Sequence, residues 1–242
     1  MEHDEKSTDR GEFLEGMRNG IPIYAGYLAV SFAFGISARE SGLSAGQATL
    51  MSLTNLTSAG QFSALSAITE QVSYVEMAFL QLVINLRYIL MSAALSQKIE
   101  EGAGPCKKMG FAAGITDEIF GFCITRKEKL TLAFSVGMTI AAVAGWATGT
   151  FLGASVGEIL PAILVRALNI AIYGMFIAIL VPKAVTEKSV LAAVAAAMVM
   201  SGMLSALPVT RAMTSGSRII IITILISALA ARAAPVQEEA YE

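Results

Sequence analysis

Charge is scarce in this chain. Of its 242 residues only 15% are Asp, Glu, Lys or Arg, against about 25% in an ordinary soluble domain. With 55% hydrophobic residues and a mean hydropathy of +0.65, that shortage excludes a soluble globular enzyme. Disorder is excluded too, because apolar content is high and the net charge is only −2. Histidine is nearly missing, since His3 in a polar leader stands alone. The two cysteines, Cys106 and Cys123, form neither a CxxC pair nor a disulfide framework, and aspartate occurs only at 4, 9 and 117. These absences remove a His/Cys metal site, an HExxH metalloprotease, a Ser-His-Asp triad and a two-aspartate intramembrane protease. There is no basic patch for a nucleic acid, and no GxxxxGK[ST] loop for ATP. The chain is therefore expected to be no enzyme and to use no metal and no cofactor.

What remains is apolar sequence in long runs. Six or so spans of about 20 residues would use about half the chain, so the composition reads as an all-α polytopic membrane protein. Residues 1–20 form a polar leader without an apolar h-region, expected to be a disordered start and an interfacial helix from Glu12 to Arg18 rather than a signal peptide. Residues 21–233 form a single transmembrane bundle, and 234–242 a polar tail. Apolar segments fall at 21–38, 46–68, 73–96, 111–125, 130–153, 161–182, 189–208 and 216–233.

Two of the eight are unlike the rest. Segment 46–68 is rich in Ser, Thr, Asn, Gln and Gly, with a break expected at Ser58-Ala59-Gly60. Segment 111–125 is too short for a comfortable span and carries Asp117 beside Glu118. Interrupted polar helices at membrane depth are tolerated only inside protein or along a cavity. If both are re-entrant and the other six segments span, Lys98, Lys107, Lys108, Arg126, Lys127, Lys129, Lys183 and Lys188 share the side of the N-terminus. The positive-inside rule then places both termini in the cytoplasm. Making both segments full spans would put the lysine-rich 97–108 loop outside, which the rule disfavours. Opposed broken elements suggest an inverted repeat, whose solute site lies near the midplane. A short echo between AGQF at 59–62 and TDEIF at 116–120 points the same way.

Ionised groups inside the apolar body are few: Arg87, Asp117, Glu118 and Arg166, with Glu76 nearer an end. An Arg or Asp at a helix centre costs roughly 2.5–3.5 kcal/mol on insertion scales, so such groups are expected to be paired. Helical spacing places Gln81, Asn85 and Tyr88 on one polar stripe, with Arg87 directed elsewhere. Asp117 and Glu118 are its candidate partners by elimination. Either the pair is an ion bridge that orients two helices, or one acid changes protonation or receives an ammonium group. Asn55, Ser58, Gly60 and Gln61 offer free amides and a side-chain amide to an anion; plain close packing of small residues is the alternative. Arg166 is placed to snorkel outward, while Asn169 and Tyr173 continue its face and are candidates for the interior. Gly137, Gly145, Gly149 and Gly153 read as a packing seam, and Trp146 as a packing residue. Phe62, Met91, Ile119 and Phe120 are candidate pocket lining.

The stretches FGISARESGLSAGQATLMSLTNLTSAGQFSAL, NLRYILMSAALS and GITDEIF, then a Gly-rich span and MFIAILVP, resemble the AzlC family of branched-chain amino acid permeases. The likeness runs from about residue 14 to 185 and in outline to the end. It implies a secondary transporter that exports leucine, isoleucine, valine or related neutral amino acids across the cytoplasmic membrane. It also implies a small hydrophobic partner subunit of the AzlD type. Tyr88 stands where His is common in the family, and Asn169 where many members have Asp; the second departure weakens a role for an acid on that span. In residue terms, the 58–61 segment suits a carboxylate, Asp117 or Glu118 an ammonium or a proton, and the drive is a proton or the membrane potential. Two rival classes remain open. A passive channel or pore subunit predicts little loss on Asp117→Asn, and a non-transport scaffold predicts that Arg87 and Asp117 can be swapped together.

Overall fold

A computed structural model describes residues 2–100, 102–156, 184–207 and 213–233, with 163, 177, 181, 182 and 210; of residues 2–8 it describes the backbone alone. Among these residues the protein is all-α, as the composition demands. The helices are α1 (Glu2–Glu40), α2 (Ala45–Thr54), α3 (Ala59–Thr69), α4 (Tyr74–Ser96), α5 (Pro105–Ala113), α6 (Asp117–Thr125), α7 (Leu132–Val156), α8 (Lys188–Ala206) and α9 (Ser215–Ala233). Five of them, α1, α4, α7, α8 and α9, are long and apolar enough to cross a membrane. The sixth expected span, 161–182, lies almost wholly outside the described residues, as do Arg166, Asn169, Tyr173 and the tail at 234–242.

The chain divides into two compact units, residues 1–62 with 85–172, and residues 63–84 with 173–242. The first is built on α1 and α7. Phe13 faces Gly137, Tyr24 faces Gly145 and Phe32 faces Gly153. Both series rise together, so the two helices run parallel. The predicted glycine seam is the contact itself: a Cβ added at Gly145 would sit 2.5 Å from the Tyr24 carbonyl oxygen. From the opposite helix, Gly16 and Gly35 lie as close to the backbone of Phe134 and Thr150. Backbones this near exchange many dispersion contacts with no side chain between them. Phe34, Phe134, Met138 and Trp146 fill the core beside the seam.

One expectation needs correction here. The interfacial helix at Glu12–Arg18 is not a separate element, because α1 is continuous through it and through Pro22. Pro22 costs the Arg18 carbonyl its intrahelical donor without ending the helix.

The two odd segments are both helix–break–helix. In the first, Ser52 and Gln61 hydrogen-bond each other at 3.4 Å, whereas nine residues of continuous helix would separate them by about 13.5 Å. The chain therefore turns back at 55–58. In the second, α5 begins at Pro105 behind the N-cap Gly104, six residues earlier than the apolar pattern suggests. The Lys107–Lys108 pair masks this start in the sequence. Gly110 faces Leu132, and Gly114 at the end of α5 faces Thr139, so α5 and α7 run the same way. Then α6 returns: Lys98 Nζ donates to the carbonyls of Ile124 at 2.5 Å and Arg126 at 2.7 Å. Lys107 pairs with Glu100 at 3.1 Å. Start and finish of the α5–α6 hairpin therefore share one end, which makes it re-entrant.

Arg126 secures that end. Its side chain is 7% exposed and lies within 3.5 Å of Glu12, 3.3 Å of Glu15 and 3.4 Å of Glu128. The guanidinium also sits 3.8 Å from the centroid of the Phe134 ring, a cation–π contact.

In the second unit α8 packs on α9. The start of α9 is held by two acids. Glu70 accepts from the Ser215 amide at 2.9 Å and its hydroxyl at 2.5 Å. Glu76 accepts from the hydroxyls of Thr214 and Ser217. Carboxylates at a helix N-terminus satisfy orphan amides and complement the dipole.

Candidate functional site

The α2–α3 break is organised by its own side chains. Asn55 Oδ1 accepts from the Thr57 amide at 2.9 Å and the Thr57 hydroxyl at 2.7 Å, an Asx turn that replaces helical bonding. Ser58 then takes φ 46°, the left-handed region uncommon for residues other than glycine. Its buried hydroxyl has no hydrogen-bond partner. The break thus covers 55–58 rather than 58–60; Gly60 is already helical and buried. No acidic residue occupies the first turn of α3.

Gln61 points inward and is fully buried. Its Oε1 accepts from Trp146 Nε1 at 2.6 Å, and its Nε2 donates to Ser52, whose hydroxyl bonds Thr150 at 2.7 Å. Both ends of the amide are committed, so Gln61 anchors the break. Phe62, beside it, packs edge-on against Phe34 at 5.2 Å.

The second break, 114–116, ends in Thr116, the N-cap of α6, whose hydroxyl accepts from the Ile119 amide at 3.4 Å. Asp117 and Glu118 follow in the first turn, where the helix dipole favours anions by about 0.3–1 kcal/mol each. Successive helical residues diverge by about 100°, and these two acids serve different neighbours. Asp117 Oδ2 lies 2.7 Å from Arg87 Nη1 on α4. Glu118 accepts a hydrogen bond from the Tyr27 hydroxyl on α1. The Arg87 and Asp117 side chains are 35% and 29% exposed, so the pair is neither sealed in the core nor spread on the outer surface.

Arg87 also corrects the expected stripe. Its Nη2 donates to the Tyr88 hydroxyl at 3.3 Å, and the guanidinium sits 5.0 Å from the centroid of the Tyr88 ring. The two neighbours in sequence lean together because both side chains are long enough to bend round the helix. Gln81 donates instead to Ser63 at 3.2 Å. Asn85 and Met91 are partly exposed on α4, Ile119 is buried, and Phe120 is partly exposed.

Sequence reasoning missed the residues that tie the two breaks together. The Tyr27 ring meets Trp146 edge-on at 5.1 Å and 75°, and the Trp146 indole holds Gln61. A continuous path therefore runs from Glu118 through Tyr27 and Trp146 to Gln61 and Ser52. The available signal was general: a buried Tyr or Trp needs a partner for its O–H or N–H. Among the described residues no cluster of His, Cys, Asp and Glu is arranged to hold a metal ion.

Two broken helices within an apolar all-α chain define a multi-pass membrane protein. The chain belongs to the AzlC family: the family signature, described as AzlC protein, matches residues 22–160. Proteins of this family are membrane proteins associated with amino-acid transport. The chain is 31% identical over 176 residues to a protein of Archaeoglobus fulgidus described as an uncharacterized membrane protein, covering 70% of this chain and 75% of that one. It is 26% identical over 150 residues to the inner membrane protein YgaZ of Escherichia coli, covering 60% of this chain and 61% of that one. No solved structure matches.

Proposed function

We propose that the chain is the large subunit of a secondary transporter that exports branched-chain or related neutral amino acids across the cytoplasmic membrane of a prokaryote by alternating access. One observation carries this reading: two helix starts of opposite character, the neutral start of α3 and the acidic start of α6, are joined through Tyr27 and Trp146. A zwitterion needs both. The amides of Ser58 and Ala59 and the free Ser58 hydroxyl suit its carboxylate, the Gly60 amide being taken by the Thr57 carbonyl at 3.2 Å, and the α6 acids suit its ammonium. Phe62, Met91 and Phe120, all partly exposed, are the apolar groups for the side chain. Arg87 is engaged by Asp117 and is assigned to holding that acid. Gln61 acts by fixing the α3 start.

The family resemblance supports the AzlD-type partner subunit, and the lysine distribution supports cytoplasmic termini. The drive is assigned to a proton or the membrane potential. Efflux of labelled leucine from loaded vesicles tests the proposal, with and without the partner subunit and a pH gradient. Wild type should empty the vesicles, and Asp117→Asn and Arg87→Ala should each slow efflux by about tenfold or more, a loss of about 1.4 kcal/mol. Unchanged efflux in both variants would overturn the assignment and favour a passive pore.

A further inference from the structure

The two acids that open α6 stand side by side in sequence but hold different partners, a charged one for Asp117 and a neutral one for Glu118. We propose that Glu118, and not Asp117, receives the ammonium group of the transported amino acid, and that Tyr27 is the positioning residue that occupies Glu118 until the solute arrives. This inference rests on the transporter reading above.

Charge counting is the first argument. The ionised groups facing one another here are Arg87 from α4 against Asp117 and Glu118 from α6, with the neutral phenols of Tyr27 on α1 and Tyr88 on α4. One guanidinium opposes two carboxylates, so the cluster is one cation short. An ammonium group supplies it.

The second argument is the cost of exchange. To reach Asp117 an ammonium must displace Arg87. That would cost the guanidinium its ion pair with Asp117, and its Nε already has no partner. An unpaired cation at membrane depth is strongly disfavoured. At Glu118 the displaced group is a phenol. A neutral O–H donor gives way to a charge-assisted N–H donor, the stronger of the two bonds, and no charge is stranded.

The exchange leaves a trace. Tyr27 rests on Trp146, the one tryptophan of the chain. Trp146 in turn holds Gln61 at the start of α3. Release of Glu118 by Tyr27 therefore disturbs the indole first and the α2–α3 break next.

The test measures equilibrium binding of labelled L-leucine and of labelled 4-methylpentanoate, which keeps the carboxylate and aliphatic chain but lacks the ammonium, to the purified full-length chain, and follows Trp146 emission alongside. Leucine should shift the emission of wild type. Glu118→Gln should weaken leucine by about tenfold or more and 4-methylpentanoate by less than about twofold. Asp117→Asn should weaken both alike, together with a lower melting temperature. Tyr27→Phe, which removes the competing hydroxyl, should tighten leucine by a few-fold, and it keeps the proposal testable if Glu118→Gln does not fold. Selective loss of leucine in Asp117→Asn, or equal losses in both acid variants, would overturn the inference while leaving the transporter reading intact. So would labelled leucine efflux without any emission change. Absence of both efflux and emission change in wild type would overturn the transporter reading, and this inference with it.

Discussion

The α2–α3 and α5–α6 hairpins solve the same backbone problem with opposite chemistry. Each interrupts a helix where water is scarce and must satisfy the orphaned amides of the helix that follows. The α6 start does so with a threonine cap and two acids, so it is stable as it stands and already carries charge. The α3 start uses an asparagine within the break and leaves Ser58 strained and its hydroxyl unmet. In the proposed transporter the finished terminus meets the solute with its side chains, and the unfinished one with its unmet donors.

The largest expected effect comes from breaking the charge that anchors the acidic hairpin. Arg87→Leu should cost about 3 kcal/mol by leaving Asp117 without its cation. Thermal unfolding of the detergent-solubilised protein should show it, and the Arg87→Leu/Asp117→Leu double variant should recover most of the loss. Gln61→Leu attacks the neutral hairpin. The Trp146 N–H loses its acceptor in a buried site, which should cost about 2 kcal/mol and alter Trp146 emission without ligand. A third substitution makes the hairpins alike: Ala59→Asp places an acid in the first turn of α3. It should change stability little, since the dipole favours it, yet slow leucine efflux by about tenfold (about 1.4 kcal/mol) by opposing a carboxylate. Efflux at the wild-type rate would show that the neutral start of α3 is not used. Smallest is Thr116→Ala, which removes the α6 cap and should cost about 1 kcal/mol, read as a small drop in melting temperature.

Much of this was legible before any coordinates. The apolar runs at 73–96, 130–153, 189–208 and 216–233 became α4, α7, α8 and α9 within a few residues, because twenty apolar residues in a row leave few choices. The glycines of 137–153 announced their seam through spacing alone. The break in 46–68 was legible from its polar residues, but its position was not. Glycine drew attention to 58–60, while the turn was set by Asn55, a residue whose side chain imitates backbone. The start of α5 was hidden because Lys107 and Lys108 look like loop; they lie on its exposed first turns. Elimination narrowed the partner of Arg87 to Asp117 or Glu118, since a cation at depth needs a carboxylate, and the geometry selects Asp117. Nothing comparable pointed to Tyr27, because a single phenol in an apolar span carries no periodic signal and its partner is 91 positions away.

The meshing of α1 and α7 has a mechanical consequence. Ridges that fit glycine notches with no filler between them cannot turn or slip by a fraction of a helical step without driving an oxygen into a neighbouring chain. The two rods are thus welded into a single stiff spar. In the transport cycle proposed above this spar is the fixed part, and movement belongs to what packs beside it.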